Sequence, residues 1–160
     1  MNNMQGKFPS TRLRRNRMKE FSRRLVAENT LSVNDLILPL FVCEGNKVDD
    51  PINSMPGVSR YSIDNLLNQV EKAVKFNIPA IAIFPQIESD LKNSEGSLAV
   101  DENNLVCRSI KSIKKDFPNI GIVCDVALDP FTDHGHDGLV INDKIDNDKT
   151  LEVLEQQALV

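Results

Sequence analysis

Three short apolar runs, separated by amphipathic segments, organise the chain after its first 34 residues. The runs are residues 36–42, 80–84 and 120–126. Continuous apolar runs of this length are typical of strands buried on both faces, as in parallel sheets. Pro39 cannot donate a ladder hydrogen bond, so we expect it at an irregularity or on the less paired side of the first strand.

The segments that follow these runs have the spacing of amphipathic helices. Ser62 can cap the first helix, and a second helix begins near Asn103 or Asn104. A third begins at Asp148 or Thr150 and is still helical in pattern at the end of the printed sequence. Alternation of strand and helix predicts parallel strands joined by crossovers. The apolar face of the first helix comprises Ile63, Leu66, Leu67, Val70, Ala73 and Val74.

The fold class is therefore predicted to be α/β, and the pattern is incomplete. Three parallel strands do not close a barrel, and a (β/α)₈ TIM barrel needs about 250 residues. We interpret residues 35–160 as the first three β/α units of an incomplete TIM barrel, and residues 1–34 as an N-terminal arm. The alternative is a small open α/β domain. No glycine-rich phosphate loop follows the first two strands, which argues against a Rossmann or P-loop nucleotide site.

Charge separates the arm from the rest of the chain. Residues 7–24 hold eight basic residues and one acidic residue, which leaves 11 of the 19 basic and 22 of the 23 acidic residues elsewhere. A basic arm is compatible with nucleic-acid or anion binding. Aromatic residues are sparse in it, so we favour packing of the arm on its own acidic body or on a neighbouring subunit, with no nucleic acid as partner.

Composition indicates a globular protein in a reducing compartment. The 160 residues are 41% hydrophobic and 26% charged, and no run reaches the ~18 apolar residues of a membrane span. The polar N-terminus lacks a secretory signal. Cys43, Cys107 and Cys124 are far apart and odd in number, which favours reduced thiols. We therefore expect a cytoplasmic protein that does not bind membranes.

The chemistry is concentrated in residues 124–138, directly after the third apolar run. Crowded ionisable groups at the carboxyl end of a buried strand are typical of an active-site rim in α/β proteins. His134 and His136 could form a zinc pair, but we favour hydrogen bonds that brace the loop, helped by backbone conformations at Gly135 and Gly138. The carboxylates of the loop are Asp125, Asp129, Asp133 and Asp137.

These segments resemble the N-terminal half of the porphobilinogen synthase (5-aminolevulinate dehydratase) family. The resemblance extends from about Phe8 to Val160. It includes the arginine-rich opening at residues 12–16, the first strand at 35–42, the Ile-Asn-Ser-Met-Pro-Gly-Val-Ser-Arg segment at 52–60 and the two motifs at 125–131 and 134–138.

The resemblance implies an enzyme of tetrapyrrole and heme biosynthesis. The family condenses two molecules of 5-aminolevulinate to porphobilinogen with loss of water, on a TIM barrel whose arm embraces another subunit, usually in a homo-octamer. Two family lysines on later strands form Schiff bases with substrate ketones. None of the lysines in this chain aligns with them, so we expect the 160-residue chain alone to be inactive.

The resemblance also assigns site residues. Asp125 matches an active-site aspartate that would bind the substrate amino group or move a proton; the alternative is a loop-bracing carboxylate. Zinc-dependent members have cysteines where this chain has Ala127, Asp129 and Asp137. Carboxylates favour Mg²⁺ or K⁺ over zinc, so the chain resembles the aspartate-rich, magnesium-type branch. Asp129 and Asp137 are candidate ligands, although the family's best-defined magnesium site is allosteric and implied to lie outside this chain.

Two other function classes stay open from the sequence. One is a non-catalytic assembly fragment that acts through the arm. The other is an anion or nucleic-acid binder that uses the basic arm, whose binding would weaken steeply with salt.

Overall fold

The computed structural model describes Gly6 and residues 15–160, excluding the side chain of Arg15. Backbone contacts divide the chain into two units, residues 1–32 and 33–160. Much of the basic arm, including Lys7, Arg12 and Arg14, lies outside the described residues.

The described part of the first unit is a short helical segment. A 3₁₀ turn at Arg15–Arg17 precedes helix α1, Glu20–Leu25. The Ser22 hydroxyl donates to the carbonyl of Asn16, and the Arg23 guanidinium donates to that of Arg17. Helix α1 buries none of its side chains, and Phe21 and Leu25 remain largely exposed.

The second unit is built on a five-stranded sheet. Strands β1 (Ile37–Val42), β4 (Ala80–Pro85) and β5 (Gly121–Cys124) are parallel neighbours in that order. On the other side of β1, β3 (Ser59–Tyr61) pairs in parallel with Phe41 and Val42, and β2 (Asp49–Pro51) pairs antiparallel with β3. The predicted α/β class and the parallel alternation are therefore confirmed.

Three longer helices accompany the sheet. Helix α2 spans Ile63–Lys75, α3 spans Leu105–Asp116 and α4 spans Asn147–Leu159. The Asn104 side chain caps α3 by accepting from the amide of Cys107, and Asp146 caps α4 by accepting from that of Lys149. The predicted starts of α2 and α3 are correct. The predicted start of α4, at Asp148 or Thr150, is one or three residues late.

The core lies between one face of the sheet and helices α2 and α3. Because side chains alternate along a strand, Leu40 and Val42 of β1 and Ile81 and Ile83 of β4 point to the same face, and all four are buried. The opposite face is open: Ile37 is 54% exposed. The sheet is therefore covered on one face within the described residues.

Pro39 lies inside β1, opposite Ala82 of β4. Strand β3 pairs with β1 only at Phe41 and Val42, so no described strand pairs with the other side of β1 at Pro39. This agrees with the expectation that proline occupies the less paired side of the strand.

Ser62 is at the N-cap position of α2, but its hydroxyl does not cap the helix. It accepts from the amide of Val48 at 2.8 Å and donates to Asp64 at 2.6 Å. The hydrogen bond from Ser62, together with the amide of Lys47, lowers the pKa of the Asp64 carboxyl. Ser62 therefore ties the loop before β2 to the start of α2.

Two details differ from the sequence prediction. The third strand ends at Cys124 rather than Val126, because the chain turns into the charged loop two residues earlier. No strand was predicted after the charged loop, but β6 (Val140–Ile141) and β7 (Lys144–Ile145) form a short antiparallel hairpin there. Asn142 and Asp143 form its turn with positive φ angles, a conformation that Asn and Asp tolerate well.

None of the helices in the described residues combines the length and apolar character needed to cross a membrane.

The amphipathic face of α2 gives a matched test of the core. Val70 is fully buried, whereas Val74, one turn later on the same helix, is 42% exposed. We expect Val70→Ala to lower the free energy of unfolding by about 2 kcal/mol, because it leaves a cavity. Val74→Ala should change it by less than about 0.5 kcal/mol. Urea denaturation of the complete protein, meaning the product of the whole reading frame, measures both; equal losses would contradict this packing.

Candidate active site

The carboxyl ends of the three parallel strands bring an aromatic pair and a carboxylate together. Phe41 of β1 is in register with Phe84 of β4, and their ring centroids lie 5.7 Å apart. Ile83 is in register with Cys124, the last residue of β5, so the next residue, Asp125, continues the row beside Phe84. Parallel pairing therefore places Asp125 at the edge where ligands bind in α/β proteins.

A cavity of about 480 Å³ opens at this edge. Its lining includes both phenylalanines, Asp125 and Asp129, together with side chains of α3 and the end of α4. Both carboxylates are exposed, and neither makes a hydrogen bond or ion pair with another described residue. Apolar walls with two convergent, unpaired carboxylates favour a ligand that carries a positive charge, such as an ammonium group.

Asp137 and Ala127 have structural roles in the described chain. Asp137 Oδ1 accepts from the amide of Leu128 at 2.6 Å, and Asp137 does not line the cavity. Ala127 is buried and offers no side-chain ligand. No three His, Cys, Asp or Glu side chains among the described residues are grouped so that they could hold a metal ion. The residues at these positions therefore do not fit a zinc centre.

The two histidines brace the loop. His134 Nδ1 accepts from the amide of His136 at 3.1 Å, and its Nε2 lies 3.2 Å from the carbonyl of Ser94. The Thr132 hydroxyl donates to the carbonyl of His136. Both ring nitrogens of His134 are thus engaged, in agreement with the bracing interpretation.

The two loop glycines are needed for different reasons. Gly135 has φ +71, a conformation that side chains resist. Gly138 has an ordinary φ, so the prediction of a special conformation there was wrong. A Cβ on Gly138 would lie 2.8 Å from the Ile145 side chain, so close packing against the β6–β7 hairpin excludes a larger residue.

A second cavity, of about 300 Å³, lies beside the first and shares Phe41, Pro85 and Pro130 with it. It contains Arg60, which forms an ion pair with Asp50 at 3.0 Å, and Lys92. Sequence reasoning did not assign these cations to the site. Lys92 lies in the loop after β4, and Arg60 lies within β3, at the end of the family segment 52–60.

The environment of the Cys124 thiol disfavours its reactive thiolate form. Cys107 is buried and Cys124 exposed, and both line the larger cavity. Although Cys124 reaches solvent, desolvation by the surrounding protein raises the pKa of its thiol, and Cys107 adds to this effect. Burial likewise raises the pKa of the Cys43 thiol. All three cysteines are free, and the raised pKa values of Cys43 and Cys124 disfavour the thiolate that nucleophilic attack or metal binding requires.

Comparison with known proteins shows which family has this sequence and fold. The family profile described as delta-aminolevulinic acid dehydratase matches residues 10–160. The chain is 54% identical over 149 residues to delta-aminolevulinic acid dehydratase of Bradyrhizobium diazoefficiens, and the aligned region covers 93% of this chain and 42% of that protein. It is 43% identical over 144 residues to the Chlamydia pneumoniae protein of the same name, covering 90% and 43%.

A solved structure gives the same result. The crystal structure of delta-aminolevulinic acid dehydratase (porphobilinogen synthase) from Toxoplasma gondii, in complex with the reaction product porphobilinogen, superposes with a TM-score of 0.85 at 40% identity. The match covers 93% of this chain and 43% of that one. The chain thus spans less than half the length of these relatives, and within that length it belongs to the delta-aminolevulinic acid dehydratase, or porphobilinogen synthase, family.

Proposed function

We propose that this chain is part of a porphobilinogen synthase that condenses two molecules of 5-aminolevulinate to porphobilinogen in tetrapyrrole biosynthesis. The observation that carries the proposal is that Asp125 and Asp129 line an apolar cavity at the ends of parallel strands and neither forms an ion pair there. The substrate carries an amino group, and a carboxylate at this edge can bind an ammonium group or transfer its proton. Porphobilinogen bound to the Toxoplasma gondii relative supports the same reaction.

The chain's own contribution to this reaction is the rim of the site. Asp125 follows β5 directly, so it binds and orients the substrate amino group at the mouth of the cavity. Phe41 and Phe84 form an apolar floor beside it, which strengthens the electrostatic attraction by excluding water. The Schiff-base lysines expected of the family align with none of the lysines here, so no Schiff base is assigned to this chain.

The parallel unit extends in this proposal into a closed (β/α)₈ barrel. The open face of the sheet supports this, because Ile37 of β1 and Val123 of β5 are about half exposed. Free apolar surface on one face of a parallel sheet is usually covered in α/β proteins. Residues that close the barrel would bury these side chains in its interior.

We also propose that residues 1–34 mediate assembly of a homo-oligomer, an octamer by family resemblance. The described part of the arm supports this role, because Met18, Phe21 and Leu25 are each more than 60% exposed on a segment that also carries Arg23 and Arg24. Exposed large apolar side chains beside cations suit a docking surface for another subunit. Free cysteines at Cys43 and Cys107 support a cytoplasmic location.

Any cation bound at the rim is proposed to be held by oxygen, as Mg²⁺ or K⁺, and not by a zinc–thiolate centre. Asp129 and the second oxygen of Asp137 are the candidate ligands, since Asp137 Oδ1 is engaged by Leu128. Mg²⁺ commonly uses only one or two carboxylates and completes its shell with water. With this assignment, we propose that the chain belongs to the aspartate-rich branch of its family.

The role of Asp125 is tested by Asp125→Asn in the complete protein. Loss of the charge should lower kcat/KM for 5-aminolevulinate by about 10²-fold or more, because a group that binds or moves a proton is removed. Porphobilinogen formation is the assay. Asp133→Asn is the matched control, since Asp133 belongs to the same loop, is exposed and does not line the cavity. Near-wild-type turnover by Asp125→Asn would reduce Asp125 to a structural role.

The 160-residue chain itself should produce no porphobilinogen and should be insoluble or partly folded, because the open sheet face exposes apolar side chains. The complete protein, assayed in parallel, should be active. Turnover by the isolated chain would place the reactive groups within it and overturn the assignment of the Schiff bases elsewhere.

Zinc dependence provides an independent test of the rim. Activity of the complete protein should survive a zinc-selective chelator, because no thiolate occupies position 127, 129 or 137. The measurement is porphobilinogen formation before and after chelation, followed by addition of zinc or magnesium. Complete inactivation that only zinc reverses would contradict this proposal.

A further inference from the structure

One peptide unit in the charged loop is held from both sides. The carbonyl of Ala127 accepts a hydrogen bond from Nε2 of Gln157 at 3.0 Å. The amide of Leu128, which belongs to the same peptide plane, donates to Oδ1 of Asp137 at 2.6 Å. This Ala127–Leu128 peptide clamp fixes the orientation of the backbone midway between Asp125 and Asp129.

The two partners of the peptide come from different parts of the fold. Asp137 lies ten residues further along the same loop, whereas Gln157 lies in the last turn of α4. Ala127 and Leu128 are buried, whereas Asp137 is exposed, so the two bonds are partly shielded from water. Of the two, the Gln157 bond is the one that ties the loop to a helix.

Only the nitrogen of the Gln157 side-chain amide makes a hydrogen bond with the described residues. Its Nε2 bonds Ala127, but its Oε1 is buried without a hydrogen-bond partner among the described residues. An unpaired buried acceptor is destabilising, and an apolar side chain would fill the same space without that penalty. The contribution of Gln157 that an apolar side chain could not supply is therefore the hydrogen bond from Nε2 to the loop.

We propose that Gln157 is a positioning residue for the active site, which holds the Ala127–Leu128 peptide and through it aims Asp125 and Asp129 at the cavity. Gln157 also lines that cavity. The inference rests on the proposed function, since the carboxylates are the groups that receive the substrate amino group. Small displacements of such groups lower rates strongly, because the reacting geometry is held within narrow limits.

The test uses the complete protein with Gln157→Leu, which removes the bond but preserves the side-chain volume approximately. We expect kcat/KM for 5-aminolevulinate to fall by about tenfold or more. Gln156→Leu is the matched control: Gln156 is the same residue type on the same helix, but it is exposed and lines no part of the cavity. This control should retain wild-type activity.

Gln157→Glu provides a second measurement that a purely structural role would not predict. A protonated carboxyl group can donate to the Ala127 carbonyl, whereas an ionised one cannot and repels it. Activity relative to wild type should therefore be highest at acidic pH and should fall as pH rises through the pKa of the introduced group, which burial raises. The wild-type profile measured in parallel removes the enzyme's own pH dependence.

The outcomes separate this inference from the proposed function. If the wild type forms no porphobilinogen, the proposed function fails. If the wild type is active and Gln157→Leu matches Gln156→Leu, or Gln157→Glu follows the wild-type pH profile, the positioning role of Gln157 is wrong. If Gln157→Leu does not fold, the pH profile of Gln157→Glu alone decides whether Gln157 is a positioning residue.

Discussion

The parallel register of β1, β4 and β5 is the constraint on which the rest of the site depends. This register places Phe41 of β1 beside Phe84 of β4. Because Cys124, the last residue of β5, pairs with Ile83, the next residue, Asp125, lies beside Phe84 in the same row. Because side chains alternate, the same pairing buries Leu40, Ile81 and their neighbours against the helices. A shift of one residue in any strand would exchange the two faces, and both the core and the carboxylate edge would be lost.

Two ionisable side chains of the loop after β5 stabilise the conformation of the fold around them. Asp137 holds a backbone amide, and His134 joins the loop to Ser94 and to the amide of His136. Of the four carboxylates of the loop, Asp125 and Asp129 line the larger cavity and stay unpaired. The loop is rich in potential metal ligands, but they are not grouped into a metal site within the described residues.

Charges of opposite sign occupy neighbouring cavities at the strand ends. The larger holds the two free carboxylates, and the smaller holds Arg60 and Lys92 behind a shared wall that includes Phe41. Arg60 is already paired with Asp50, so part of its charge is neutralised within the fold. Arg60 and Lys92 line the smaller cavity and not the larger one, and neither forms an ion pair with Asp125 or Asp129.

The sequence by itself determined the elements, their order and the segment that carries the chemistry. Apolar runs located the three parallel strands, the spacing of Leu66, Val70 and Ala73 located α2, and the family motifs located the carboxylate loop. These features are local, because periodicity and motif are written in neighbouring residues. The short pairs β2–β3 and β6–β7 lacked such a signal, since two or three residues of strand carry no period.

Only the tertiary structure decided which polar groups of the site are free and which are engaged. Asp129 and Asp137 are equivalent as letters in the sequence, yet one lines the cavity and the other holds the amide of Leu128. Gln157 lies 30 residues from Ala127 and has no motif around it, yet it reaches that carbonyl. Hydrogen-bond partners of this kind depend on where α4 lies relative to the loop that follows β5. That packing is a property of the assembled core, so no local pattern could have revealed it.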